Sequence, residues 1–190
     1  HKAIKDLFIG DVIIEEKVDG SQFSFGVIDG ELCCRSKGKE IFLEAVEGMF
    51  QKAVDTIREL QPLLTPGWIY RGEYLSKPKH NTICYSRVPT KNIIIYDIQT
   101  GLEAYLPPEE KGILVEKIGL EVVPHLFSGK VTDFEMFRTF LERESILGGS
   151  KVEGVVVKNY TLCTQEKKVA MGKYVSEMFK EKHEGEWRKN

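Results

Sequence analysis

Apolar and polar positions alternate through the first third of the chain, a period-two pattern that predicts β structure. Phe23 to Ile28 and Glu31 to Ser36 flank Asp29-Gly30, a dipeptide suited to a type I′ turn, so a hairpin is expected there. The period then changes. Phe42, Val46, Met49, Ala53, Ile57 and Leu60 recur at steps of three and four, which predicts a helix ended by Pro62 and Pro66. Strands are expected at Trp68 to Leu75 and Asn92 to Ile98, with a polar surface loop between them from Ser76 to Lys91. Pro107-Pro108 opens a short helix that stops near Gly119, and Val122-Val123 reads as a short strand. Thr132 and Glu135 have capping-box spacing ahead of Phe134, Phe137, Phe140 and Leu141, with Gly148-Gly149 closing that helix. Val152 to Val157 is a further apolar strand, and the charged tail from Lys180 is either helical or frayed. Strands and helices mix without strict βαβ alternation. The expected class is α+β, with antiparallel sheets.

Length and composition narrow this picture. The 190 residues suit one domain with a sizeable core, and 42% hydrophobic with 29% charged residues is ordinary for a globular protein. A formal charge of −2 removes the simplest sign of a nucleic-acid binder, yet leaves room for a local basic groove. No apolar run is long enough to span a membrane, and the start shows no secretory signal pattern. Cys33, Cys34, Cys84 and Cys163 form no CxxC pair, so free thiols in a reducing compartment are expected. The chain opens on His1 rather than a methionine, and a fragment of a longer protein is expected.

Four short segments carry candidate chemistry. Lys17-Val18-Asp19-Gly20 follows the apolar run Val12 to Ile14, where a sheet would hold the lysine and the glycine would let a ligand approach the backbone. A lysine attacks only as the neutral amine, a form favoured by burial or cationic neighbours. Alone, KxDG occurs by chance in roughly one chain in twenty. Glu153-Gly154-Val155-Val156-Val157-Lys158 is far rarer, expected in about a few chains per thousand. Alternation puts Glu153 and Lys158 on opposite faces, which argues against an ion pair between them unless a bulge re-aims one. Both charges stand in an otherwise apolar strand, where a metal, a phosphate and the Lys17 site are the expected compensation. The other segments are Tyr70-Arg71-Gly72-Glu73-Tyr74-Leu75 and Ile93-Ile94-Ile95-Tyr96-Asp97-Ile98. Singly, Glu73 reads as a surface residue and Tyr96 as core.

Taken together and in this order, the segments resemble the covalent nucleotidyltransferase superfamily of DNA ligases, RNA ligases and capping enzymes. The family order is KxDG, an xGE strand, an aromatic-Asp strand, EGxVxK and a lysine-bearing strand. Lys17, Glu73, Tyr96-Asp97, Glu153 with Lys158, and Lys173 follow it, and Arg35 matches a basic motif after the first hairpin. DNA ligases and capping enzymes usually carry arginine two residues after the KxDG glycine. Gln22 stands there instead, which resembles RNA ligases of the double-strand-repair and RNA-editing type. An ATP-dependent DNA ligase or a GTP-using capping enzyme is the alternative. In the last strand many relatives have two lysines one residue apart. Here the pattern is Met171-Gly172-Lys173, so only Lys173 carries over, and Lys168 would substitute only in a different register.

The resemblance implies a nucleotidyltransferase fold, ATP-grasp-like, of twisted antiparallel sheets flanked by helices. It implies one adenylation domain over residues 1–190, without a C-terminal ligase domain. Lys17 would take AMP from ATP with Mg²⁺ or Mn²⁺, pass it to an RNA 5′-phosphate, and seal to a 3′-hydroxyl. Lys17, Glu153, Lys158 and Lys173 would be catalytic, with Glu153 and Asp19 toward the metal. Glu16, Gly20, Arg35, Glu73 and Tyr96 would bind the nucleotide: Arg35 at phosphate, Glu73 at ribose and Tyr96 on adenine. The basic stretch Lys77 to His80 is either an RNA-backbone contact or a solvated loop. The expected partners are RNA ends or a nicked duplex. A monomer in the cytoplasm, or in host cytoplasm if viral, is expected.

Overall fold

The computed structural model describes residues 6–46, 48–177 and 180; the tail expectation beyond Lys180 lies outside them. Eleven strands and three α-helices are seen among these residues. Contacts divide the chain into two compact units. One comprises His1–Asp19, Asn81–Ser86 and Val123–Asn190, the other Gly20–His80 and Arg87–Val122.

The first unit is built on a four-stranded antiparallel sheet. It runs β11 (Val169–Val175), β10 (Gly154–Cys163), β1 (Val12–Lys17), β9 (His125–Gly129). Val12, Ile14, Val155, Val157 and Ala170 pack on one face with Leu7, Phe137 and Phe140. Each fully buried aliphatic or aromatic side chain there contributes about 1.5–3 kcal/mol. The helix that supplies the phenylalanines, α3 (Met136–Leu141), is shorter than the capping-box pattern predicts. The box does not form: Asp133 Oδ1 accepts from the Glu135 amide at 2.8 Å, an Asx-type turn that takes the place of the cap. Gly148 and Gly149, expected to close this helix, lie in a later turn at φ 70° and 75°, where the Ser86 amide donates to the Gly148 carbonyl.

The second unit carries a seven-stranded sheet in the order β4 (Lys39–Glu40), β3 (Glu31–Ser36), β2 (Ser21–Ile28), β5 (Ile69–Tyr74), β6 (Ile93–Gly101), β7 (Ala104–Tyr105). The remaining strand, β8 (Glu121–Val122), lies parallel to β6. The β2–β3 hairpin turns at Asp29 and Gly30, both at positive φ, as the dipeptide predicts. Phe23, Phe25, Tyr70, Tyr74, Ile93, Ile95 and Ile98 form the core face. It is covered by α1 (Gln51–Leu60) and by Val115 of α2 (Pro108–Lys117). The first helix starts later than its periodicity suggests: Phe42 and Met49 are exposed, and a 3₁₀ turn over Gly48–Phe50 precedes it. Gly48 is a poor helix former at the point where the pattern would need to continue. No helix among the described residues is long and apolar enough to cross a membrane.

Candidate active site

In the first unit, strand register assembles one face. Lys17 lies opposite Gly154, Glu15 opposite Val156, and Ile13 opposite Lys158. On the far side of β10, Val156 lies opposite Lys173 and Lys158 opposite Met171. Side chains at directly paired positions share a face. Lys17, Glu15, Lys158 and Lys173 therefore stand together on the surface away from the apolar packing. Gly154 permits this pairing, because a Cβ there would lie 2.3 Å from the Tyr174 carbonyl oxygen.

Two ion pairs organise the face. Lys17 Nζ donates to Glu153 Oε2 at 2.7 Å, with the lysine side chain 24% and the carboxylate 4% exposed. Lys158 Nζ donates to Glu15 Oε2 at 2.5 Å, both side chains 1% exposed. Of the expected compensation by a metal, a phosphate and the Lys17 site, Glu153 does meet Lys17, whereas Lys158 is paired with Glu15 instead. Each has a protein partner, and the strand starts at Gly154, so Glu153 precedes the regular alternation and is free to turn toward Lys17. Burial pushes the Glu153 carboxyl up; the charge and hydrogen bond of Lys17 offset this only in part, Asp19 adds to it, and Lys173 opposes it. Glu15 was missed in the sequence, although it sits two residues before Lys17 on an alternating strand.

Glu16 and Asp19 turn out to be committed within the protein. Glu16 points to the other face of β1, where Ser145 Oγ donates to its carboxylate at 2.5 Å and the Ile146 amide at 3.1 Å. Burial nevertheless pushes the Glu16 carboxyl up. A nucleotide contact from this residue would have to come from its main chain. Asp19 accepts from the Ile83 amide at 2.8 Å and from Asn81 Nδ2 at 3.5 Å, while its own amide donates to Tyr85 Oη at 2.8 Å. It fastens the segment 81–85. Tyr85 and Ser145 carried no sequence signal, since their partners are 66 and 129 residues away.

The nucleotide-binding candidates of the second unit occupy the polar face of its sheet. Gln22 lies opposite Glu73, and Ser24 lies opposite both Arg35 and Arg71. Glu73 and Tyr96 are half-buried and Arg35 is exposed. Arg71 Nη2 donates to Gln99 Oε1 at 2.6 Å. Burial pushes the Tyr96 phenol up, with Glu73 and Asp97 reinforcing and Arg71 opposing, so the hydroxyl keeps its proton. Ile94 lies opposite Glu73, so alternation puts Tyr96 on that polar face rather than in the core, the plainest reading of its run. Gly20 packs against β5: a Cβ there would lie 2.9 Å from both Glu73 Cβ and Leu75 Cδ1. In the basic stretch, Lys77 and Lys79 are exposed, and His80 Nδ1 accepts from the Ser76 amide at 3.1 Å.

Among the described residues, no cluster of three or more His, Cys, Asp or Glu side chains encloses a metal. A lone carboxylate such as Glu153 fits an ion that arrives with nucleotide phosphates and keeps most of its waters. A mostly apolar cavity of about 410 Å³ is lined by Leu7, Phe8, Phe134, Phe137, Val157 and Tyr174, with Gly172 and Lys173 of β11 at its wall. Lys17, Glu15, Glu153 and Lys158 do not line it.

The RNA ligase family model matches residues 10–175. The chain belongs to the RNA ligase family. Solved structures of Naegleria gruberi RNA ligase share the fold of this family member. The complex with PPi matches with a TM-score of 0.71 at 20% identity, over 97% of this chain and 55% of that one. A lysine-to-alanine mutant with ATP and Mn has a TM-score of 0.71 at 19% identity, over 96% and 54%. A lysine-to-methionine mutant with AMP and Mn has a TM-score of 0.71 at 19% identity, over 96% and 55%. The family member spans about half the length of these chains. Comparison with curated proteins gave no match.

Proposed function

We propose that this chain is the nucleotidyltransferase part of an ATP-dependent RNA ligase and that Lys17 carries AMP covalently. The observation that carries the reading is the Lys17–Glu153 pair at 2.7 Å, at the end of a strand whose face also bears Lys158 and Lys173. Membership of the RNA ligase family supports it.

In the first step the Lys17 amine forms an N–P bond to the α-phosphorus of ATP as the bond to the pyrophosphate oxygen breaks. The ammonium proton must leave, and Glu153, already bonded to Nζ and pushed up by burial, is placed to receive it. Lys173 and Lys158 stand on the same face, where they would offset charge on the phosphate. Mg²⁺ or Mn²⁺ bound with the phosphates would add charge neutralisation, with Glu153 as its protein carboxylate. AMP would then pass to an RNA 5′-phosphate, and a 3′-hydroxyl would displace it to seal the strand. Glu73 offers an acceptor to ribose hydroxyls and Tyr96 a π-face to adenine. The substrates would be RNA ends or a nicked duplex. The four free thiols favour a reducing, cytoplasmic setting, and we take the working form to be a monomer.

Incubation with α-labelled ATP and Mg²⁺ or Mn²⁺, followed by denaturing electrophoresis and intact-mass analysis, tests this. The expected result is one acid-labile AMP adduct that is lost in Lys17→Ala. No mass shift, or an adduct that survives the substitution, overturns the reading.

A further inference from the structure

Lys17 is the last residue of β1, and at that point the sheet supports it from one side only. Strand β9 pairs with β1 as far as Glu15, and the Pro124 carbonyl takes the Glu16 amide at 3.0 Å. Beyond this β10 alone remains beside Lys17. A strand end with one neighbour frays readily. A nucleophile placed there needs other support, since a misplacement of about 1 Å can cost roughly a hundredfold in rate.

That support comes from two straps of the first unit, one bonded to each flank of Lys17. The strap 81–86 holds Asp19. The Ile83 amide and Asn81 Nδ2 donate to the Asp19 carboxylate, and Tyr85 Oη accepts from the Asp19 amide at 2.8 Å. The strap 145–149 holds Glu16. Ser145 Oγ donates its proton to the Glu16 carboxylate at 2.5 Å and accepts from the Leu147 amide at 3.2 Å. Tyr85 is 3% and Ser145 5% exposed, so both bonds are shielded from water. The straps are also bonded to each other, the Ser86 amide donating to the Gly148 carbonyl at 3.0 Å. Gly149 allows the approach: a Cβ there would lie 2.6 Å from Ser86 Oγ and 2.9 Å from the Ser86 nitrogen. The hydrogen bonds thus close a ring from Glu16 through the two straps to Asp19, and Lys17 lies in the segment that completes it.

We propose that Tyr85 and Ser145 are positioning residues for Lys17, the two anchors that hold the end of β1 where its amine can attack. This rests on the proposed function above and gives both residues a part in lysyl-AMP formation. Each acts through a neighbour of Lys17, Tyr85 through the Asp19 main chain and Ser145 through the Glu16 carboxylate. Because Tyr85 takes a main-chain amide, Tyr85→Phe releases the turn after Lys17 and leaves the Asp19 carboxylate with its own donors.

The test measures single-turnover lysyl-AMP formation against ATP concentration for wild type, Tyr85→Phe and Ser145→Ala. It is run well below each melting temperature, and the labelled end-point gives the active fraction. In either variant the maximal rate constant should fall about tenfold, while the half-saturating ATP concentration moves less than about threefold. Pyrophosphate added to the preformed adduct runs the step backward, breaking the same N–P bond, and should be slowed by a similar factor. A purely structural role would lower the melting temperature and the active fraction and leave both rate constants at wild-type values. That result overturns the inference, as does a change confined to half-saturation, which would place the residues in nucleotide binding instead. If wild type forms no adduct at all, the proposed function falls and takes the inference with it; an adduct formed at the wild-type rate by either variant defeats the inference alone.

Discussion

Lys158→Met should destabilise the fold rather than simply slow the chemistry. The ammonium it removes is bonded to Glu15 at 2.5 Å, and both side chains are 1% exposed. The substitution leaves the Glu15 carboxylate enclosed without that partner. Breaking a buried pair from one side costs about 3–5 kcal/mol, a large part of the roughly 5–15 kcal/mol that holds a domain folded. At about 2–4 °C per kcal/mol for a chain of this size, Tm should drop by about 6–20 °C. Glu15→Leu combined with Lys158→Met removes both charges and should recover most of the loss, since apolar replacement of a whole buried pair is often neutral or stabilising. Urea unfolding followed by far-UV circular dichroism measures Lys158→Met, Glu15→Leu and the double variant. A loss below about 1 kcal/mol in the single variant, or a double variant no more stable than the sum of its parts predicts, would refute the reasoning. The recovered double variant also becomes the proper probe of chemistry. If it forms the AMP adduct at the wild-type rate, Lys158 serves the strand and not the phosphate.

Glu153→Gln keeps the shape but removes the charge beside Lys17, and adenylation should fall by at least roughly a hundredfold in a folded protein; a wild-type rate by single-turnover labelling would strip Glu153 of its role. Tyr96→Ala should weaken ATP use by about one to two orders of magnitude, the loss of about 1–3 kcal/mol of base stacking, read as the ATP concentration for half-maximal labelling. Arg87 bonds Glu121 at 2.7 and 2.8 Å, and with the Thr90 amide and hydroxyl it holds that carboxyl down to about 2 from 4.5. The folded value lies below the unfolded one, so this stabilisation is present above pH 4.5 and is lost as pH falls toward about 2. Because Arg87 is 44% exposed, its worth is only about 1 kcal/mol after screening. Glu121→Gln should flatten the fall of the urea midpoint over that range, and an unchanged slope would exclude the pair as its source. Sealing of a pre-adenylated nick should favour an RNA strand; sealing of all-DNA nicks with RNA ignored would move the chain to the DNA ligase branch.

The sequence alone determined whatever depends on a few neighbouring residues. Asp29-Gly30 sets a turn by its tolerance of positive φ, and the hairpin follows with Ile28 opposite Glu31. The strands β5 and β6 and the helix after Pro107 were legible for the same reason. Local alternation sufficed to put Lys158 with Val156 on one face of β10, and the order of the motifs sufficed for the family. Periodicity failed where tertiary packing competes with it, as at Phe42 and Met49, which are exposed although in phase with the helix. Tertiary structure decided which charge meets which. Lys17 finds Glu153 across 136 residues and Lys158 finds Glu15 across 143, through the register of β1 on β10. Register is a relation between two distant segments, and a one-residue slip would turn every side chain of a strand to the other face. The slip of β6 against β5 at Tyr96 is confined to one residue and brings Ile98 back to the core face that Ile95 also occupies; it is held by Lys111 from a helix and given room by Gly72 on the neighbouring strand. No stretch of β6 by itself contains either constraint.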